Sequence, residues 1–189
     1  MEGLSRHIHQ ELNSGVIDIA ILFSGQPTHG LRARSLLTEE LFLVKRAVES
    51  QCDFGIGTLS WQEVAETPLL LPERGNGLRD LIDHLFHSIG IENRPRVELG
   101  SLCTMLEAVE QGFGATILPW GAFSREHARG SVSAYRLEEM SVPRTLMLCT
   151  SGALPVSDTA SVVSDLVQEV IRNLVNKGHW REVYLRDNA

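Results

Sequence analysis

The chain has 189 residues, of which 43% are hydrophobic and 22% are charged, as in an ordinary globular protein with one domain or two small lobes. Its formal net charge of -7 argues against a nucleic-acid-binding surface, because such surfaces need clustered Lys and Arg. Its apolar runs are shorter than the roughly 18 residues that span a membrane, and residues 1–5 do not resemble a signal peptide. The sequence therefore predicts a cytoplasmic protein that does not bind membranes.

The first predicted elements are a helix and two strands. Residues 5–14 are expected to end a helix, which Gly15 closes in the position favoured after a helix C-terminus. Residues 16–23 are an almost continuous run of β-branched and apolar side chains, which suits a strand covered on both faces, as in a parallel sheet. A second strand is predicted within residues 36–44, at Glu40–Val44.

The rest of the chain alternates strands with helices. Residues 45–60 are expected to hold the junction between two lobes. Ser60 and Glu63 form the capping-box pattern of a short helix, which Thr67-Pro68 ends. The other elements are predicted from apolar periodicity and from the residues at their ends. They are strands at 69–71, 96–99, 114–119, 132–137 and 145–149, and helices at 78–88, 101–112, 120–128 and 157–177. This alternation predicts an α/β fold with mainly parallel sheets.

Two segments are candidates for ligand binding, because each places backbone N–H groups at the carboxyl end of a strand. The strand at 69–71 leads into the glycine-rich turn Glu73–Gly77, where a helix begins at once. Ser101 begins a second helix directly after another strand. Such helix N-termini attract anions, and open α/β sheets bind ligands at this edge. The alternative interpretation is that both segments are simple helix caps.

Two further residues could contribute to the same site. Ser24 directly follows the first predicted strand, a common place for a polar contact to a ligand. Thr104 lies one turn into the helix that Ser101 begins. Each has a structural alternative, since Ser24 could be an ordinary turn residue and Thr104 could bond to the backbone. The glycines at 75 and 77 do not form the dinucleotide-binding pattern, because Asp80 stands where a third glycine belongs.

The sequence contains no motif for catalysis or metal binding that we recognise. His84 and His87 are three residues apart on one predicted helix, but they lie on its polar face, so we expect solvated side chains without a metal. A nucleophile elbow, a P-loop and a zinc-protease motif are all missing, so we predict neither an enzyme nor a cofactor. Cys52, Cys103 and Cys149 are far apart and odd in number, and we expect reduced, partly buried thiols.

The order of these motifs resembles the effector-binding domain of LysR-type transcriptional regulators. The resemblance covers nearly the whole chain, and the stretch at residues 71–79 is similar to the nitrogen assimilation control branch of that family. The segments that carry it are Leu12-x-x-Gly15-x-Ile17-Asp18-x-Ala20-Ile21, Leu36–Val44, Pro68–Leu71, Gly77-Leu78-Arg79 and Ser101–Pro119.

This resemblance implies a fold like that of type II periplasmic binding proteins, in which two Rossmann-like α/β lobes are joined by crossover strands. Lobe I would hold residues 1–54 and 142–189, and lobe II would hold residues 55–141. A small effector would bind in the cleft between the lobes. The candidate effector-binding residues are Phe23, Ser24, Arg74, Gly75, Asn76, Gly77, Ser101, Leu102 and Thr104.

The resemblance also implies that this chain lacks parts of the family's full-length regulators. The DNA-binding winged helix-turn-helix, its linker helix, and the first strand and first helix of lobe I have no counterpart in the sequence. Lobe I is therefore expected to be incomplete and less stable, with strand edges left unpaired. DNA binding is expected only in the full-length form, which in this family is a homodimer or a tetramer.

We expect the effector to be a small and anionic metabolite, because both candidate segments lie at helix N-termini. Two other classes of function stay open. A solute-binding protein of a transport system would share this fold, but it would carry a signal sequence or a lipid anchor. An enzyme of the same architecture, such as a deaminase or a dehydratase, would need a charged cluster converging between the lobes.

Overall fold

The computed structural model describes residues 5–23, 29–48, 56–138 and 143–186. The helices are α1 Ser5–Ser14, α2 Trp61–Glu66, α3 Gly77–Ser88, α4 Leu102–Glu110, α5 Trp120–Ala128 and α6 Asp158–Asn176. The strands are β1 Ala20–Phe23, β2 Leu31–Glu39, β3 Leu41–Arg46, β4 Gly57–Leu59, β5 Leu70–Pro72, β6 Val97–Leu99, β7 Thr116–Pro119, β8 Val132–Leu137, β9 Arg144–Ser151 and β10 Val183–Leu185.

The chain forms two compact units. The first unit comprises Met1–Glu39 and Pro143–Ala189, and the second comprises Glu40–Val142. The lobes expected from the sequence differ from these units mainly in β3, which lies within residues 1–54 but pairs with β7 and β8 of the second unit. The correspondence between these units and functional lobes stays a prediction.

The first unit is an antiparallel sheet with a helix on each face. Its strand order is β1-β9-β2-β10, and every described pairing in it is antiparallel. Side chains alternate along β9, so Leu148 packs with Ile171 of α6 on one face, whereas Cys149 packs with Leu12 of α1 on the other. The hydrophobic core of this unit is therefore divided between two small clusters.

The second unit has a larger and continuous core. β3 lies between β7 and β8 and is antiparallel to both, while β4 is parallel to β8. β5 and β6 form a parallel pair, and a parallel bridge from Leu69 to Ala115 brings them beside β7. Four helices of this unit contribute buried side chains to one core cluster. These include Trp61, Val64, Ile82, Phe86, Met105, Val109, Trp120 and Phe123.

Most of the predicted helices and their ends are confirmed. α5 and β8 have the predicted bounds, and α3, α4 and α6 begin and end within a few residues of them. The capping box is present, because the Ser60 side chain accepts a hydrogen bond from the Glu63 N–H and the Glu63 carboxylate accepts one from the Ser60 N–H. The positive φ of 75° at Gly15 ends α1 as expected.

The prediction of mainly parallel sheets is wrong for the described residues, where most pairings are antiparallel. Apolar periodicity shows that a strand is buried but not which way its neighbours run. The first predicted strand is also shorter than expected, since the N–H groups of Val16 and Ile17 bond to the Glu11 carbonyl at the end of α1. β1 therefore begins only at Ala20, and it lies at the edge of the described sheet with Ile21 45% exposed. β2, with nine residues, was not predicted as a separate strand.

Several apolar side chains of α6 are exposed and do not pack in the core. Ala160 and Ile171 are buried, but a row of side chains four residues apart lies in the open. These are Val162, Leu166, Val170 and Leu174, each between 37% and 67% exposed. In the part of the chain that the structure describes, no helix is both long enough and apolar enough to cross a membrane.

Candidate functional site

The two candidate segments lie side by side in the second unit. The turn Glu73–Gly77 at the start of α3 is called the α3 corner, and the residues from Ser101 to Thr104 at the start of α4 are called the α4 corner. β5 pairs with β6 in parallel register, with Pro72 opposite Leu99, so the carboxyl ends of both strands meet at one sheet edge. The turn before α3 follows β5, and the residues before α4 follow β6. A Cβ placed on Gly100 would lie 3.2 Å from Oε1 of Glu73, which shows how closely the two segments approach. The structure thus brings together two segments that the sequence could only suggest were neighbours.

The α3 corner is an ordinary helix cap in an open turn. Gly75 adopts a φ of 87°, a left-handed conformation that favours glycine, and no atom lies within 4 Å of a Cβ placed there. The Asn76 side-chain oxygen accepts a hydrogen bond from the Leu78 N–H at 2.9 Å. Gly77 is the first helical residue, and the Arg74 side chain is 82% exposed. Asn76 therefore caps the helix, as the structural alternative supposes, and ligand binding at this corner stays a prediction.

The α4 corner is more open and carries no carboxylate in its first turn. Ser101 caps the helix, since its hydroxyl oxygen accepts a long 3.4 Å hydrogen bond from the Thr104 N–H. Ser101, Leu102 and Thr104 are all exposed, and Leu102 is 45% exposed. The N–H groups of the first turn have no acceptor within the helix, so an anion could bind to them.

A buried arginine holds the two corners together. Arg79 is 1% exposed, and its Nη1 donates hydrogen bonds to the Pro72 carbonyl at 3.0 Å and to Oε1 of Glu98 at 2.9 Å. Its Nε donates to the Asp83 carboxylate at 2.9 Å. Desolvation alone would lower the pKa of Arg79, but the hydrogen bonds and the charges of Asp83 and Glu98 outweigh it and raise that pKa. One guanidinium thus joins the last residue of β5, the middle of β6 and the first turns of α3.

The sequence showed only part of this arginine cluster. Arg79 and Asp83 have the i, i+4 spacing of a helical ion pair, which is visible without a structure. The contacts with Pro72 and Glu98 depend on the pairing of β5 with β6, and no local pattern reports that pairing. Arg79 was therefore noticed only within the family resemblance and not as a residue that positions the site.

Carboxylates lie near both corners. Glu73 lies beside Gly100, which directly precedes the Ser101 cap of α4, and Glu98 lies 3.9 Å from Nε of Arg74 while it also binds Arg79. The two corners differ in their first helical turns, because Asp80 is in the first turn of α3 and the first turn of α4 holds no acidic residue. A carboxylate within the turn opposes an anion there, because like charges within a few ångströms repel at reduced solvent screening.

The remaining predicted segment lies in the first unit. Phe23 is the last residue of β1, and the Arg144 guanidinium lies 3.5 Å from the centroid of its ring. Arg144 also donates from Nε to Glu39 at 2.8 Å. Burial raises the pKa of the Glu39 carboxyl above its ordinary value, although the Arg144 charge and hydrogen bonds act in the opposite direction. Ser24 lies outside the described residues, and this ion pair was not predicted.

The histidines and cysteines that the sequence analysis named have different environments. His84 and His87 are exposed, as expected for a solvated face. Within the described ranges, no cluster of three or more His, Cys, Asp or Glu side chains could hold a metal ion. Cys149 is buried, and this burial raises the pKa of its thiol, but Cys103 is exposed and the expectation of partial burial is wrong for it. Cys52 lies outside the described residues.

Comparison with known proteins decides the family. The LysR substrate binding domain family matches residues 1–172. The chain belongs to that family. The transcriptional regulator BbuR of Bordetella bronchiseptica is 30% identical over 180 residues, which are 95% of this chain and 55% of the relative. The nitrogen assimilation regulatory protein Nac of Klebsiella aerogenes is 27% identical over 173 residues, or 90% of this chain and 53% of the relative. The chain thus spans about half the length of these relatives.

Solved structures agree on the fold of this LysR substrate-binding domain. OxyR of Corynebacterium glutamicum, as a C206 mutant, has a TM-score of 0.77 at 22% identity and matches 100% of this chain and 59% of its own. The effector-binding domain of QuiR in complex with shikimate has a TM-score of 0.75 at 20% identity, covering 90% of this chain and 79% of its own. These likenesses confirm the predicted α/β fold of the type II periplasmic binding protein kind.

The same comparisons separate two of the rival functions. The relatives that match are transcriptional regulators, which favours the regulator hypothesis over a solute-binding protein of a transport system. The resemblance to the nitrogen assimilation control branch is also supported, because Nac proteins of two bacteria are among these relatives.

Proposed function

We propose that this LysR substrate-binding domain senses a small anionic metabolite without converting it, and that it acts within a cytoplasmic regulator whose DNA-binding domain lies outside this chain. The observation that carries the proposal is the adjacency of the α3 and α4 corners at the ends of β5 and β6. Two structural neighbours support it, since QuiR is described in complex with shikimate and the regulatory domain of Synechocystis CcmR in complex with 2-PG.

The first turn of α4 would hold the negative group of the effector. Its N–H groups point along the helix axis, and the positive end of the helix dipole contributes about 0.3–1 kcal/mol for an exposed anion. The Ser101 and Thr104 hydroxyls would donate further hydrogen bonds. The neighbouring turn would add further contacts to the ligand. These would come from backbone N–H groups of Gly75, Asn76 and Gly77 and from the Arg74 guanidinium.

Other features of the proposal follow from the family rather than from the site. Phe23 and Ser24 are expected to complete the effector site, as the resemblance implies, and this stays a prediction. The full-length regulator is expected to bind DNA as a homodimer or a tetramer. A protein of this kind needs no cofactor and performs no catalysis, because binding energy alone changes the population of its states.

Isothermal titration calorimetry with a panel of small carboxylic and phosphoric acids tests the ligand class. Ser101→Ala is expected to weaken binding of the best acid by about threefold to tenfold, since it removes one hydrogen-bond donor to a charged group. Ser157→Ala is the matched control. The Ser157 hydroxyl oxygen accepts a hydrogen bond from the Ala160 N–H at 3.2 Å and so caps α6. Ser157→Ala therefore removes a helix cap like that of Ser101, but in the first unit.

The two variants separate a binding role from a capping role. Equal losses of thermal stability with weaker binding only in Ser101→Ala would support the proposed site. If only neutral or cationic compounds bind, the anionic effector is ruled out. Turnover of a bound acid, followed by mass spectrometry, would instead favour the enzyme hypothesis.

A further inference from the structure

We propose that the first unit holds a separate site for a small oxyanion, in a cleft where Arg172 of α6 and Arg186 after β10 lie over the bulge of β2. The residues that line this cleft are Ser35, Leu36, Gln168, Ile171, Arg172, Leu185 and Arg186. All of them belong to the first unit, and none is a candidate residue of the effector site. The inference therefore does not depend on the proposed function.

The cleft is formed by an irregularity in β2. The register with β9 shifts between Ser35 and Leu37, so Leu36 is an extra residue on the bulged strand. On its other side β2 pairs with β10, and the Arg186 N–H continues this ladder by donating to the Leu36 carbonyl at 3.1 Å. The bulge and the end of β10 thus coincide. Bulges redirect side chains and occur often beside functional sites.

The rim of the cleft has two cations and no carboxylate. Ser35 and Gln168 also line the rim, and one N–H of the Gln168 amide donates to the Ser164 carbonyl at 3.3 Å, which leaves its second N–H. Arg186 is held in place, because its Nε donates to Oγ1 of the buried Thr38 at 2.9 Å. That bond leaves the remaining N–H groups of a planar fork, whose geometry matches the oxygens of a carboxylate or a phosphate.

These two arginines form no ion pair with a described residue. Among the residues that the structure describes, Arg172 and Arg186 form no ion pair, whereas Arg79, Arg136 and Arg144 each bind a carboxylate. The chain as a whole has an excess of acidic residues, with a net charge of -7. Two arginines without an ion pair to a described residue thus line one cleft, and an anion would neutralise their charges.

The floor of the cleft is apolar but offers little surface to a ligand. Leu36 and Ile171 are each 6% exposed and Leu185 is half-buried, so their carbons are already covered by the protein. The charged rim would therefore supply most of the binding free energy, and inorganic phosphate and small carboxylates should bind in the same way. The structure assigns the cleft to a small oxyanion.

Protection of arginines from phenylglyoxal, read by mass spectrometry, tests this site directly. Inorganic phosphate, acetate and benzoate are compared at equal ionic strength. Modification of Arg172 and Arg186 is expected to slow at least about fivefold at saturation with each of the three anions. Arg125 of α5 is the internal control, since it is an exposed arginine of the second unit and lies outside the proposed cleft.

Variants of the same arginines complete the test. Arg172→Gln should weaken protection of Arg186 by about tenfold, the effect of one charge-assisted hydrogen bond, and Arg125→Gln should leave it unchanged. Circular dichroism confirms that each variant is folded. The site is refuted if none of the three anions protects Arg172 and Arg186, or if Arg125 is protected to the same degree. Protection by phosphate and by both carboxylates would support the oxyanion site, and protection by benzoate alone would contradict it.

Discussion

The two units of this chain bury their apolar residues to very different extents. In the second unit, strands and four helices share one continuous buried cluster. In the first unit the buried residues fall into two smaller clusters, and α6 and β1 leave Val162, Leu166 and Ile21 at least 45% exposed. Apolar area removed from water is the main stabilising contribution to folding. We therefore expect the second unit to be the more stable one, and the candidate corners lie on this more stable unit.

The largest expected effect concerns the arginine that joins the two corners. Arg79→Met removes a buried cation that binds two carboxylates. Among the described residues, Asp83 then keeps only the Asn93 amide at 2.6 Å and Glu98 keeps only the exposed Arg74 at 3.9 Å. We expect the free energy of unfolding of the second unit to fall by about 2–3 kcal/mol, below the value for a fully buried pair because both carboxylates are partly exposed. Urea denaturation followed by hydrogen exchange measures this loss in the second unit alone.

Arg74→Met is the control for that substitution. Arg74 lies near the same Glu98 carboxylate, but it is 82% exposed, so the expected loss is within about 0.5 kcal/mol. Equal losses in the two variants would show that the contacts of Arg79 with β5 and β6 do not stabilise the unit.

A smaller effect is expected from the ion pair of the first unit. The pKa of Glu39 is raised by burial, so the folded state binds a proton to this group more readily than the unfolded state does. The contribution of Glu39 to stability is therefore present below the ordinary carboxyl pKa of 4.5 and is lost as the pH rises through the raised value. The difference in unfolding free energy between the wild type and Glu39→Gln should change over that window and be flat above it. A difference that stays constant from pH 3 upwards would contradict the raised pKa.

The smallest effect is expected on the exposed side of α6. Leu166→Gln should change the free energy of unfolding by no more than about 0.5 kcal/mol, because Leu166 is 55% exposed. Val167→Gln, one residue further, should cost about 1–2 kcal/mol, because Val167 packs against the buried cluster of the first unit. Thermal denaturation of both variants at several protein concentrations checks this. A loss in Leu166→Gln as large as that in Val167→Gln would show that this side of α6 is covered, and the contrast between the units would then be smaller.

The sequence analysis succeeded where a structure depends on residues that are close together in the chain. The capping box of Ser60 and Glu63 is an example, and its prediction is confirmed. The direction of the strands was predicted wrongly, and β2 was not predicted as a separate strand, because β2 is stabilised by pairing with β9, more than a hundred residues later. The binding role of the candidate residues, Ser101 and Thr104 among them, stays a prediction.

The sequence alone determined the helices and most of their ends, since capping serines, closing glycines and apolar periodicity act within a few residues. It also determined the family, because the order of its motifs is specific even where each motif is loose. Only the tertiary structure decided that Arg79 joins the ends of β5 and β6, and that Arg172 and Arg186 lie on one cleft. These contacts join residues that are distant in the chain, and their free energy depends on strand pairing and burial, which no local pattern encodes.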